Sequence, residues 1–140
     1  MARGALDDNA AMARALDEHA AAVMGIGGVS ELTKALCAAM IAGLNFCTPS
    51  LVRHRKRARD LGAQAAKLND LWDNARSVRY TDAEKAALAA SVALTREPRA
   101  LPGRLWDDLR AHYTPAQIVE LLCAIGVENY RNRVENALQR

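Results

Sequence analysis

At 140 residues, with 51% hydrophobic and 25% charged residues, the chain is about one domain long and buries roughly 68–70% of its unfolded surface on folding. These proportions exclude a disordered chain, and no apolar run approaches the ~18 residues that span a bilayer. Aromatic residues at 4% argue against a β-sandwich or barrel, and the mild net charge of +3 does not by itself imply a nucleic-acid partner.

The predicted elements are all helical, within a single domain covering residues 1–140. A first helix runs from about Leu6 to Met24, with Leu6, Met12, Leu16, Ala20 and Val23 at helical spacing, and Gly25-Ile-Gly-Gly28 ends it. That glycine-rich stretch lacks the strand–helix context of a phosphate loop and reads as a linker. Ser30 caps a second helix, Glu31 to Asn45, apolar nearly all round and so central. Thr48 is expected to cap a third, with Pro49 at its first position, ending near Leu61 before Gly62. A further helix is expected over about Ala63 to Arg76, carrying Leu68, Leu71 and Trp72. Thr81-Asp-Ala-Glu84 is a capping box opening a helix that ends near Thr95, and a short helix follows from about Gly103 to His112. Thr114-Pro115-Ala-Gln117 is a second capping box. It opens the last and longest helix, with Ile118, Leu121, Leu122, Ile125 and Tyr130 on its apolar side. The fold class is all-α, a helical bundle of about six to seven helices.

Three cysteines are too few for a disulfide scaffold, so a reducing cytoplasm is expected, and the N-terminus does not read as a signal peptide. Cys37 and Cys123 sit among apolar helix residues and read as inert core thiols. His19 reads as exposed, and His112 sits near a helix end where a cation suits the dipole. Asp73, Asp107 and Asp108 are not spaced with a histidine as a metal ligand set, so no metal and no cofactor are expected. Arg53, Arg55, Lys56, Arg57 and Arg59 crowd one helix. Without aromatic interleaving or a DNA-binding motif they read as a solvated or salt-bridged face, with Arg53 or Lys56 available to hold an anion.

The chemistry-bearing stretch is Cys47-Thr-Pro-Ser50-Leu-Val-Arg-His54. Cys47 precedes a helix N-terminus, where free amides favour a thiolate over the usual pKa of about 8.5. Ser50 and His54 stand one turn apart on one face, the spacing for base-assisted attack. The alternative is ordinary: a cysteine beside a turn is commonly a small buried hydrophobe, and a lone helix histidine a surface or satisfied core residue.

Asn45-Phe-Cys47-x-x-Ser50-x-x-x-His54, with Ala58 and Gly62 downstream, resembles the core motif of the alkylhydroperoxidase D-like (AhpD-like) or carboxymuconolactone decarboxylase family, usually Cys-x-x-Cys-x-x-x-His. Thr81–Leu88, Leu105–Leu109, Gln117–Leu121 and the closing Asn129-x-x-Asn132-Arg133 resemble its actinobacterial-type members. The resemblance implies an all-helical fold, a trimer or hexamer, a small-molecule substrate and, for antioxidant peroxidase members, a dithiol reductant protein. It implies no nucleic-acid or membrane partner. In those members the second cysteine attacks the peroxide with help from the histidine, and the first closes a disulfide. His54 then matches the motif histidine, Cys47 the resolving cysteine, and Ser50 stands where the attacking cysteine belongs. The usual glutamate of the preceding helix falls near Ala35, with Lys34 and Glu31 nearby. A hydroxyl at position 50 cannot close a disulfide. The expectation is therefore a thiol oxidoreductase with a degenerate or engineered motif. The alternatives are a cofactor-free lyase or isomerase with His54 as base, or a non-catalytic oligomer that binds a small molecule.

Overall fold

The computed structural model describes residues 8–139. Among these, seven α-helices follow one another with one 3-10 turn and no strand. They are α1 (Ala10–Gly25), α2 (Glu31–Leu44), α3 (Thr48–Asp60), α4 (Ala65–Asn69), a 3-10 turn (Leu71–Asp73), α5 (Asp82–Arg96), α6 (Gly103–His112) and α7 (Pro115–Leu138). The expected start at Leu6 lies outside the described residues; Asn9 caps α1 by accepting from the Met12 amide at 3.2 Å. No helix among the described residues is long and apolar enough to cross a membrane.

α2 is the axis of the fold, because it is apolar on every side. Ala35, Leu36, Ala39, Ile41 and Ala42 are fully buried, and α3, α5 and α7 pack around it. Ser30 caps it as expected, its Oγ accepting from the Thr33 amide at 3.0 Å. Both predicted capping boxes are formed, Thr81 with Glu84 and Thr114 with Gln117. Each satisfies amides at a helix start that would otherwise lack partners.

Polar residues fix how α1 joins this frame. The fully buried Lys34 ammonium donates to the carbonyls of Val23 and Ile26 at the end of α1 and pairs with Glu120 of α7 at 2.8 Å. Glu120 also accepts from the Val29 amide at 2.9 Å. Burial pushes the Glu120 carboxyl up, but Lys34 and the amides of Val29 and Gly28 outweigh it and hold the group below its ordinary range. Gly28 is needed here: a Cβ would lie 2.7 Å from Glu120 Oε1.

Several expectations need correction. The helix expected over Ala63–Arg76 is only the five residues of α4 followed by the 3-10 turn. Asp70 breaks it, its carboxylate accepting from Ser77 Oγ at 2.7 Å and Arg79 at 3.2 Å in a local turn. Leu68 and Leu71 are buried, while Trp72 is half-exposed over Gly43. Cys123 is exposed, and Tyr130 is 48% exposed. Both lie on the flank of α7 away from the α2 contact, so neither belongs to the core. Cys37 is buried as expected, and burial pushes its thiol up to about 12. His19 and His112 are exposed.

Candidate active site

The site begins at the turn between α2 and α3. The Cys47 amide donates to Ala42 O at 2.9 Å and the Phe46 amide to Gly43 O at 3.1 Å, the Schellman pattern that ends a helix. The pattern needs a left-handed residue after the cap, and here it is Phe46, at φ 56. Cys47 then caps α3 directly, with Thr48 and Pro49 already inside the helix. The expected Thr48 cap is thus displaced by one residue, because the amide of Cys47 closes α2 while its carbonyl accepts the first bond of α3, from the Leu51 amide. Gly62, at φ 103, ends α3 by the same pattern.

α7 clamps this turn from the opposite side. Asn45 Nδ2 donates to Asn129 Oδ1 at 2.9 Å and to Asn132 Oδ1 at 3.1 Å. Asn136 Nδ2 donates back to Asn45 O at 2.7 Å. Asn129 is itself held by donating to Thr95 Oγ1 and Ile125 O.

The same helix delivers two carboxylates that the motif alone did not disclose. Glu128, 3% exposed, faces the imidazole of His54, with Nε2 2.9 Å from Oε1 and 2.7 Å from Oε2. Ser50, fully buried, sends its hydroxyl to Glu128 Oε1 at 3.4 Å. Ser50 Oγ in turn accepts from Arg53 at 2.7 Å. Glu135, about two turns further along α7, accepts from the Cys47 thiol at 3.3 Å and from Arg53 at 3.4 Å. The three residues singled out from sequence are therefore brought onto one seam between α3 and α7. Ser50 and His54 meet through a shared carboxylate rather than through the expected direct contact.

The electrostatics reverse one expectation. Burial pushes the Cys47 thiol up; the Ser50 amide opposes it, and the neighbouring Glu135 and Glu128 carboxylates add to the rise. A helix N-terminus favours a thiolate only where no carboxylate stands nearer. The Cys47 thiol donates to Glu135, and its raised pKa disfavours the thiolate.

Beside the His54–Glu128 pair lies a crevice of about 20 Å³, walled by Ala20 and Met24 of α1 and by Lys34 and Arg131. That is room for about one water. The other approach is from the α3–α7 seam, where the partly exposed Arg53 lies over Ser50. Most of the basic residues of α3 make contacts within the chain: Arg57 with Glu31, Lys56 with Asp60, and Arg55 with Leu68 O. This fits a solvated, salt-bridged face.

The position expected for the family glutamate, Ala35, is core. Glu128 supplies the carboxylate instead. A signal for it was present in the sequence. Ile125, Glu128, Asn129, Asn132, Glu135 and Asn136 fall on one helical face, so a polar stripe continues where the buried apolar face of α7 should run.

Residues 10–93 match the carboxymuconolactone decarboxylase family. The chain belongs to this family. An uncharacterised protein of Bacillus subtilis, YdfG, is 28% identical over 113 residues, covering 79% of this chain and 76% of that protein. A solved structure from Agrobacterium tumefaciens, of unknown function but suggested to be an antioxidant defence protein AhpD, is 25% identical with a TM-score of 0.78. It covers 89% of this chain and 84% of its own. The debrominase Bmp8, solved with 2,3,4-tribromopyrrole, has a TM-score of 0.88 at 19% identity, covering 98% of this chain and 73% of its own. The last likeness is one of fold alone. In this chain His54 of α3 meets a carboxylate carried on α7.

Proposed function

We propose that this chain is an acid–base catalyst, a lyase or isomerase acting on a small anionic carbon acid, with its own side chains moving the proton. One observation carries this reading: the buried His54 ring has Nε2 within 2.9 Å of both oxygens of the buried Glu128. A carboxylate so placed accepts from Nε2–H, fixing the tautomer and leaving the Nδ1 lone pair as the base. When Nδ1 takes a proton from carbon, the imidazolium that forms is stabilised by Glu128. Such positioned base catalysis contributes about 10²–10⁴-fold. Arg53, already donating to Ser50 and Glu135 at the mouth of the seam, exchanges Glu135 for the substrate carboxylate.

The test is solvent-deuterium incorporation, followed by NMR, across a panel of carboxylated lactones and 3-oxo acids. Support is exchange that disappears in His54→Gln and Glu128→Gln but survives in Cys47→Ser. Thiol-dependent peroxide consumption by the unaltered chain, lost in Cys47→Ser, would overturn the reading.

A second reading, thiol oxidoreductase, has its own support. The Ser50 hydroxyl stands on the Glu128–His54 pair where an attacking thiol would stand in an AhpD-like cycle. In a Ser50→Cys variant the new thiolate would attack the terminal peroxide oxygen, breaking the O–O bond, releasing the alcohol or water and becoming a sulfenic acid. Cys47 would then condense with it, releasing water and closing a disulfide for an added dithiol to reduce. Turnover by that variant supports a redox ancestry of the site; inertness with several dithiols removes it.

A further inference from the structure

A large cavity lies away from His54. It is a trough of about 820 Å³ running along α5 and α6, within the size range of small-molecule sites. Its floor and walls are apolar, with Ala86, Ala89 and Ala93 of α5 facing Leu101 and Leu105. α5 and α6 run antiparallel, since Tyr113 Oη, just after α6, donates to Ala83 O near the start of α5. The two ends of the trough therefore differ in charge. At the end of α5 and the start of α6 stand Arg96, Glu97, Arg99 and Arg104; at the other lie Asp82, Lys85 and His112, with Asp108 between them, one turn from Arg104. Arg99 is paired with Glu97 at 3.2 Å. Among the described residues Arg96 and Arg104 have no ion pair or side-chain hydrogen bond, so the arginine end carries uncommitted positive charge.

We infer that this trough binds a single-chain amphiphile with an anionic head, a medium-chain fatty carboxylate. The head sits between Arg96 and Arg104, and the tail lies along the alanine floor towards Lys85. From Lys85 to Arg96 is eleven residues of helix, about 16 Å at 1.5 Å per residue, a span that suits a medium chain in extended form. The charge asymmetry sets the orientation: the arginine end carries three cations against the single Glu97, whereas at the other end Asp82 and Lys85 offset each other. A guanidinium hydrogen-bonds a carboxylate with charge assistance, while the apolar floor beside it takes the tail. This inference is independent of the proposed chemistry at His54.

The experiment is calorimetric titration of the full chain with sodium dodecanoate below its micelle concentration. Expected is saturable one-to-one binding, weakened at least tenfold by Arg96→Glu and by Arg104→Glu, both exposed positions. Ala93→Trp, which fills the floor, should abolish it with the helical circular dichroism retained. His54→Gln should leave it unchanged. Dodecanol binding as tightly as dodecanoate, or no saturable binding at all, would overturn the inference. So would a concentration-dependent dimer that Ala93→Trp breaks and dodecanoate does not, since the trough would then be a surface between two copies.

Discussion

Replacing Lys34 with Met should be among the most damaging single changes in the chain, and the structure indicates how much. The Lys34 side chain is 0% exposed and its Glu120 partner 4% exposed, at 2.8 Å. Met matches the volume of the aliphatic stem but leaves the Glu120 carboxylate buried without its cation. It also removes the donor to Val23 O and Ile26 O that ties α1 to α2. Breaking a buried pair from one side costs about 3–5 kcal/mol. For a chain of this length that is a fall in melting temperature of roughly 12–20 °C, at about 4 °C per kcal/mol. Urea denaturation followed by circular dichroism measures the change as a shift in midpoint at constant slope. Glu120 adds a pH signature. Its folded-state pKa lies below the ordinary 4.5, so its stabilisation is fully present above the unfolded value and fades as pH falls through the folded one. In Lys34→Met the unpaired carboxyl protonates more readily, so the gap to the unaltered chain should narrow between pH 7 and pH 4. Lys34→Met combined with Glu120→Gln should recover part of the loss, because the amide oxygen can still accept from Val29. A cost under about 1 kcal/mol, against the 3–5 expected for a buried pair, would refute this account. A gap that widens with acidity would refute it equally.

The remaining expectations concern the site and its turn. Native labelling with iodoacetamide, located by mass spectrometry, should modify the exposed Cys123 first, with Cys37 and Cys47 protected until unfolding. Rapid labelling of Cys47 would contradict its raised pKa. Phe46, in the left-handed region and 89% exposed, gains little within the chain from its side chain. Phe46→Gly should therefore stabilise by about 0.5–1 kcal/mol, the left-handed penalty less the entropy cost of glycine; a loss in a concentration-dependent melt would show that the ring packs in an assembly. In Gly43→Ala the new Cβ would lie 2.0 Å from the Trp72 ring, so the half-exposed indole must swing out. In a Trp106→Phe background its emission should shift to the red. The net stability change should stay within about 1 kcal/mol, because the helix gains roughly that much from losing a glycine; a larger loss would mean the ring cannot move.

The architecture was legible because helix punctuation is local chemistry. Ser30, Thr81 and Thr114 cap where their side chains can reach an amide three residues on, and no tertiary contact is needed to predict it. The misreadings have tertiary causes. Asp70 ends α4 by accepting from Ser77 and Arg79, seven and nine residues away, which no local helical pattern discloses. The sequence sets Cys47 at the start of α3, but its chemistry depends on Glu135, 88 residues further along the chain. Ser50 and His54 could be paired from spacing, whereas the carboxylate that joins them could not be assigned without knowing which face of α7 lies against α3. The pattern in α7 showed polar residues on a buried stripe; only packing shows what they face.

The stripe also explains why the closing Asn-x-x-Asn segment belongs with the motif. Asn129 and Asn132 hold the Asn45 side chain, while Glu128 and Glu135, on the same face, meet His54 and Cys47. Successive helix residues are set about 100° apart. A slip of one residue in α7 would therefore withdraw both carboxylates and both asparagines together. The contacts that fix the α2–α3 turn are thus the contacts that set the register of the carboxylates on His54 and Cys47. With Ala35 sealed in the core, a carboxylate at that position would need its own buried partner. Placing the acid on α7 avoids this, because His54 is that partner.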